Sequence, residues 1–297
     1  MMYRIPSSLM MAIPFRRDVS FSKITTLGVG GVCRWLFEPT SEAQVQTFVT
    51  TCSREGVPWR MLGGGSNILA LGDIDTPVMR LRFCQEFKKI GTEFTVPANF
   101  GYARLSSIAA DMSLSGIEYA IGIPGSVGGA ICMNAGAYGR ELIDVLVKYK
   151  VLTVDGEICE KIPDLQEFHY RHSDCANGKV ILGLTVRLED GDPITIRARM
   201  SDYRSRRRDG QPLTGRSAGC IFKNPIGQNA GKLIDEAGLK GLRVGDAGVS
   251  HEHGNFLVNY GTASSTQFFE LMTKVQEKVE QFHGVKLEPE VEIWGTL

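Results

Sequence analysis

Gly63-Gly64-Gly65-Ser66-Asn67 follows the short apolar run Trp59–Leu62. A second glycine-dense segment, Gly122-Ile123-Pro124-Gly125-Ser126-Val127-Gly128-Gly129-Ala130, runs into Met133-Asn134-Ala135-Gly136-Ala137-Tyr138-Gly139. Glycine has no side chain, so successive backbone N–H groups can converge on an anion without obstruction. Two such loops suit the two phosphates of a dinucleotide, and Ser66 and Asn67 add side-chain donors. The competing reading is turn chemistry and close packing alone. No Lys-Ser/Thr pair follows the glycines, so neither segment is a Walker loop. Neither opens a helix as G-x-G-x-x-G with an acidic residue ~20 positions on, so a Rossmann site is not supported.

The chain has 297 residues, with 33 Lys and Arg against 33 Asp and Glu. This length allows two or three compact units with a substantial core. Balanced charge argues against nucleic acid or an anionic membrane as partner. The seven cysteines are an odd number, scattered and without a C-x-x-C pair. That pattern argues against a disulfide framework or structural zinc and favours a reducing cytoplasm. The run Leu9-Met10-Met11-Ala12-Ile13 is too short for a signal-peptide core or a membrane span. His251 and His253 lack a third ligand at diagnostic spacing, so no metal is expected.

Residues 1–20 read as a loosely structured lead-in. Ser41-Glu42-Ala43-Gln44 is a capping box, followed at helical spacing by Val45, Phe48, Val49 and Cys52. Trp59–Leu62 and Pro77–Leu81 read as strands. A helix over 103–113 would bury Leu105, Ile108, Ala109 and Met112 and stop at Gly116. Asp155-Gly156 marks a hairpin between Val145–Val154 and Glu157–Glu160. Val180–Leu188 reads as a strand, and Asp192-Pro193 starts a helix ending in Arg204–Arg208. Beyond Gln211-Pro212, the pattern predicts a short helix over Ala230–Ala237, a strand over Asn255–Asn259 and a last strand over Glu290–Trp294. A long helix over Thr266–Phe282 would turn Phe269, Met272, Val275, Val279 and Phe282 inward. A domain boundary is expected near 192–212.

Several blocks together resemble a known family. They are Thr26–Gly31, Leu62–Leu69, Gly122–Gly139, Tyr170-Arg171-His172-Ser173, Ala218–Pro225, Ala230–Ile234 and Leu287–Val291. In this order, from about residue 22 to the end, they look like the UDP-N-acetylenolpyruvoylglucosamine reductases (MurB), in the shorter type II form. The resemblance implies an α+β protein: a VAO/PCMH-type FAD-binding unit of two α/β lobes and a C-terminal α/β substrate-binding domain. The boundaries expected are 1–20 for the lead-in, 21–192 for the FAD domain with its lobes split near 85–98, and 193–297 for the substrate domain. It also implies FAD as cofactor, NADPH as electron donor, a cytoplasmic monomer without membrane insertion, and a role in peptidoglycan synthesis, cell shape and division.

Under this resemblance, Gly63, Gly64, Gly65, Ser66 and Asn67 cradle the pyrophosphate. Pro124, Gly125, Ser126, Gly128 and Gly129 form a second wall, so bulky side chains at Gly64 or Gly128 should block approach to it. Asn134 would reach flavin or ribose oxygens, or else cap a local turn. Arg171 would meet the charge that develops toward the substrate carboxylate after hydride addition, a task suited to a planar, permanent cation. Cys220 stands where the family usually has Ser; it would protonate C2, and a thiol of pKa about 8.5 is mostly protonated at neutral pH. Glu290 would steer the enolate or relay the proton. Tyr170, Arg206, Arg207, Lys223, Asn224 and Lys232 are the implied substrate contacts. Without the resemblance, Arg171 reads as an ion-pair residue, Cys220 as a buried inert thiol and Glu290 as a solvated strand carboxylate. Two other functions remain open to the sequence: another PCMH-type flavin oxidase or dehydrogenase, and a nucleotide-binding regulatory module without catalysis.

Overall fold

The structure is a computed structural model describing residues 5–84, 86–212 and 215–296. The first four residues of the expected lead-in, and residue 85 at the expected lobe split, lie outside the described residues. Packing divides the chain into two compact units. One comprises Met1–Arg16, Trp35–Gly64 and Thr76–Arg206; the other comprises Arg17–Arg34, Gly65–Asp75 and Arg207–Leu297. Neither unit is continuous in sequence.

The first unit starts with helix α1 (Ser7–Ala12), which buries Leu9, with Ile13 buried just after it; a strand begins at Phe15. The lead-in is thus structured, because its short apolar run supplies core contacts beside α2 (Glu42–Arg54). Ser41 caps α2 by accepting from the Gln44 amide, at 3.3 Å. The return half of the expected box is displaced by one residue: Gln44 Oε1 accepts from the Thr40 amide at 2.8 Å. Leu36–Phe37 runs parallel to Val78–Met79, which runs parallel to Arg60–Met61. Helix α3 (Tyr102–Asp111) buries Tyr102, Leu105 and Ala109. It ends before the expected stop: Ser113 already has φ 58°, and Met112 turns outward at 41% exposure.

The rest of this unit is built on a five-stranded antiparallel sheet. Its order is Ile158–Lys161, Leu146–Thr153, Lys179–Arg187, Glu93–Pro97 and Lys88–Ile90. The hairpin expected at Asp155-Gly156 is present, and Gly156 has φ 87°. Helix α4 (Val127–Cys132) carries the second glycine segment onto this sheet. Helix α5 (Pro193–Gly210) follows, and its last turn holds Arg207 and Arg208, where cations favour the helix dipole.

In the second unit, Arg216–Cys220, Phe256–Asn259, Ala247–Val249 and Arg243–Val244 form an antiparallel sheet in that order. Helix α6 (Ala230–Glu236) is followed by α7 (Ser265–His283), which packs on the sheet. A full capping box between Ser264 and Gln267 starts α7, and Gly284 at φ 68° stops it. Its inward residues are Phe268, Leu271, Met272, Val275 and Val279. Phe269 is only partly buried and Phe282 is 67% exposed, contrary to the sequence pattern. Ile68–Leu71 pairs in parallel with Glu292–Gly295, which explains why 65–75 belongs with the end of the chain.

One charge cluster in the first unit has a measurable consequence. Burial would raise the Glu38 carboxyl, but hydrogen bonds from Arg80, Arg82 and Arg16 outweigh it and hold it at about 2. An unfolded Glu titrates near ~4.3. The native state therefore gains stability from ionised Glu38 above that pH and loses it as pH falls toward about 2. Discounting for the exposed Arg16 and Arg82, the contribution is about 2 kcal/mol. Glu38→Gln should lower urea-unfolding stability by about this amount at pH 7 and flatten its acid decline. An unchanged decline between pH 5 and pH 3 would remove Glu38 from the acid response.

Candidate functional site

The two glycine loops meet backbone to backbone within the first unit. A Cβ built on Gly64 would lie 2.6 Å from Gly125 Cα and 3.2 Å from the Ser126 amide nitrogen. One on Gly63 would lie 3.0 Å from Ser126 Oγ. Only glycine permits this approach. Ser126 Oγ accepts from the Gly129 amide at 3.3 Å and thereby starts α4. The amides of Val127 and Gly128 bind the carbonyls of Phe100 and Ala98, while Gly125 O accepts from Tyr102 N. Pro124 is exposed at the rim of this loop. A Cβ on Gly128 would press on Ala98, at 3.0 Å from its Cβ, so side chains at Gly64 or Gly128 would collide first with the protein itself. Asn99, between those two carbonyl-bearing residues, has a buried Oδ1 without a hydrogen-bond partner among the described residues. That acceptor and the side-chain-free loops fit a hydroxyl-rich dinucleotide.

Asn134 is 1% exposed, with φ 39°. Its Nδ2 donates to Glu141 Oε2 at 2.7 Å and reaches His169 O at 3.4 Å; its Oδ1 accepts from Ile143 N. Its bond to His169 reaches the hairpin Phe168–His169/His172–Ser173, whose two-residue turn is Tyr170-Arg171. Arg171 has φ 57°, a left-handed backbone uncommon outside glycine, and its guanidinium lies 4.9 Å from the centre of the Tyr170 ring. The apex of a strained turn thus presents a permanent cation beside a half-exposed aromatic ring. Arg206, on α5, pairs with Asp202 at 2.9 Å and sits 5.9 Å from the centre of the Tyr138 ring.

The second unit gathers a separate set. Gly219 has φ 78°, and the ladder with Phe256–Asn259 slips between Ser217 and Cys220. Such a bulge turns the following side chain away from regular alternation. Cys220 follows it, partly buried. The Glu290 amide donates to Ile221 O at 2.7 Å, and the Lys223 amide donates to Glu288 O at 2.8 Å. The Cys220 and Glu290 segments therefore run side by side. Asn67 fastens the second segment further: its Nδ2 donates to Glu290 O at 3.0 Å, and its own carbonyl accepts from Glu292 N. Gly65, at φ 70°, accepts from Thr26 N, and a Cβ there would run into Ile24 O; Ser66 is partly buried.

The remaining substrate-side residues differ in placement. Lys223 Nζ lies 4.0 Å from Glu288 Oε2. Asn224 Oδ1 accepts from the Ala230 amide, which fixes the loop into α6. Lys232 is a solvated residue of α6 paired with Glu236 at 3.7 Å. Arg207 belongs to the second unit and its Nη1 reaches Gln211 Oε1 at 3.4 Å. Sequence reasoning missed Asn255, which is buried and holds Phe222 through both its N–H and its C=O. An Asn preceding a strand of apolar residues was the available signal, because a buried amide needs partners. It also missed Asn99, which no local pattern distinguishes.

Comparison with known proteins gives these features a family context. Residues 34–161 match the FAD binding domain family, and residues 211–294 match UDP-N-acetylenolpyruvoylglucosamine reductase, C-terminal domain. The chain is 42% identical over 285 residues to the UDP-N-acetylenolpyruvoylglucosamine reductase of Limosilactobacillus fermentum, with 95% of each chain covered. It is 38% identical over 280 residues to the enzyme of that name from Enterococcus faecalis, covering 94% of this chain and 93% of the relative. The crystal structure of the UDP-N-acetylenolpyruvylglucosamine reductase (MurB) of Thermus caldophilus superposes with TM-score 0.82 at 38% identity, over 95% of this chain and 100% of that one. The expected α+β architecture with an FAD-binding domain is the one found.

Gly64 and Gly129 separate folding from cofactor binding. A Cβ on Gly64 meets backbone, whereas one on Gly129 has only Ser126 Oγ at 3.7 Å. Gly64→Ala should lower both flavin content and the melting temperature of flavin-free protein. Gly129→Ala should lower flavin content while leaving that melting temperature unchanged or higher, since Ala gains ~0.5–1 kcal/mol over Gly within a helix. Full flavin occupancy in both variants would rule out the cradle.

Proposed function

This chain belongs to the UDP-N-acetylenolpyruvoylglucosamine reductase family, and from that premise we propose that it reduces UDP-N-acetylenolpyruvoylglucosamine to UDP-N-acetylmuramate with NADPH. The reaction would serve cytoplasmic peptidoglycan precursor synthesis, and through it cell shape and division. We assign FAD to a cradle of Gly63–Asn67 and Pro124–Gly129, with 21–192 as the cofactor domain and 193–297 as the substrate domain of a monomer. Held there, FAD would supply the redox chemistry that connects NADPH to the enolpyruvyl group, with hydride reaching C3.

The protein's own residues manage charge and protons. Addition at C3 places negative charge at C2, delocalised into the carboxylate. Arg171 binds that carboxylate and stabilises the charge as it develops. Cys220 Sγ gives its proton to C2, and the thiolate regains a proton from solvent. Glu290 orients the enolate or relays that proton. Tyr170, Arg206, Arg207, Lys223, Asn224 and Lys232 are assigned to the remaining charged and polar groups of the nucleotide sugar. The observation that supports it most is the backbone bond between Glu290 and Ile221, which sets the carboxylate and the thiol on neighbouring segments.

Rapid mixing separates the half-reactions. Arg171→Ala should leave NADPH-driven bleaching of the flavin intact and slow its reoxidation by the enolpyruvyl substrate; equal slowing of both steps would give Arg171 another role. Cys220→Ser should keep substantial turnover, and Cys220→Ala should lose the ~10²–10⁴-fold typical of a general acid, only in reoxidation. In deuterated solvent the product should carry deuterium at C2. Wild-type reoxidation in Cys220→Ala would make the thiol a packing group.

A further inference from the structure

The turn that presents Arg171 is closed by an unusual rung. His169 and His172 are directly opposed across the hairpin, with rings 6.2 Å apart and nearly parallel at 7°. Behind them stands Asp174. Its Oδ1 lies 2.9 Å from His172 Nε2, and its Oδ2 lies 3.3 Å from His169 Nε2. One carboxylate thus takes a proton donor from each strand of the hairpin. Asn177 Nδ2 also donates to Oδ1, at 2.9 Å. The residue between the rung and Asp174 is also anchored: Ser173 Oγ and Cys175 Sγ are buried and hydrogen-bonded at 2.7 Å.

We propose that Asp174, bridging His169 and His172, is a positioning residue that holds the Tyr170-Arg171 turn in the geometry required of the Arg171 guanidinium. The hairpin is only two residues long on each side, too short to fix its own register and twist. Its apex has a non-glycine residue at φ 57°, a conformation that relaxes unless its surroundings impose it. Asn134 reaches the backbone of His169, and the Asp174 bracket ties the side chains of both strands. The hydrogen bond to His172 holds the Asp174 carboxyl below the ordinary carboxylate range, against a smaller desolvation penalty. All three side chains are about half exposed, so their bonds add little to global stability; their effect is local.

The inference rests on the reading that Arg171 meets the substrate carboxylate, and the experiment tests the two separately. In flavin-loaded protein, Asp174→Ala should slow reoxidation by the enolpyruvyl substrate ~10-fold or more, as expected when a reacting group is misplaced by about an ångström. Reduction by NADPH, flavin content and melting temperature should match wild type. Asp174→Asn keeps an acceptor for His172, and its amide N–H can donate to His169 Nε2 once that neutral ring carries its proton on Nδ1, so it should recover most of the rate. Amide exchange of the peptide covering 168–173, read by mass spectrometry in flavin-loaded and flavin-free protein, should accelerate in Asp174→Ala and in His172→Ala but not in Asp174→Asn. Unchanged exchange in Asp174→Ala and His172→Ala, or an Asp174→Asn variant as slow as Asp174→Ala, would overturn the bracket. Wild-type reoxidation in Arg171→Ala would instead defeat the underlying reading, and the exchange result would still decide whether the bracket orders the turn.

Discussion

The contact on which the first unit's site depends is the approach of Gly64 to Gly125, so close that a single methyl group at Gly64 would lie 2.6 Å from the opposing Cα. Two chain segments distant in sequence can present their amides as one surface only if neither carries a side chain where they touch. The approach is held by ordinary secondary-structure bonds on one side: the second loop is stitched to Ala98, Phe100 and Tyr102 before it enters α4. The sheet below α4 supplies the rigid base, with Val180, Leu182, Leu184 and Val186 all buried.

From that loop, order passes outward by a few polar contacts. Asn134 spends its amide on Glu141, Ile143 and His169, and so links the end of the glycine segment to the hairpin of Arg171. In the second unit, Asn67 and Ile221 do the equivalent for Glu290, and Asn255 does it for Phe222, two residues from Cys220. Buried or half-buried amides are used for this because each offers both a donor and an acceptor to neighbouring backbone. The side chains assigned to chemistry then stand on segments that are strained or irregular. Arg171 occupies the left-handed region, and Cys220 follows a bulge at a left-handed Gly219. At Arg171 such geometry costs free energy locally and persists because the surrounding network imposes it, whereas Gly219 adopts its positive φ freely.

The sequence by itself determined the features that arise from near neighbours. The α2 cap at Ser41, the Asp155-Gly156 hairpin, the presence of α7 and the two glycine loops are all set by short-range hydrogen bonding and backbone freedom. The ordered blocks also carried the family assignment and hence the FAD-binding domain. Tertiary structure decided what periodicity cannot express. Phe268 and Leu271 are buried while Phe282 is exposed, because the packed face of α7 passes from Val279 to His283, whose ring meets Leu233 O, and leaves Phe282 outside it. The run around Leu9 is a packed helix because α2 offers it a partner. Residues 65–75 fold with the last third of the chain because Ile68–Leu71 pairs with Glu292–Gly295, a parallel register that no local signal encodes. The roles of Asn67, Asn134 and Asp174 were likewise decided in three dimensions: a polar side chain's function depends on which distant donors and acceptors the fold brings within hydrogen-bonding reach.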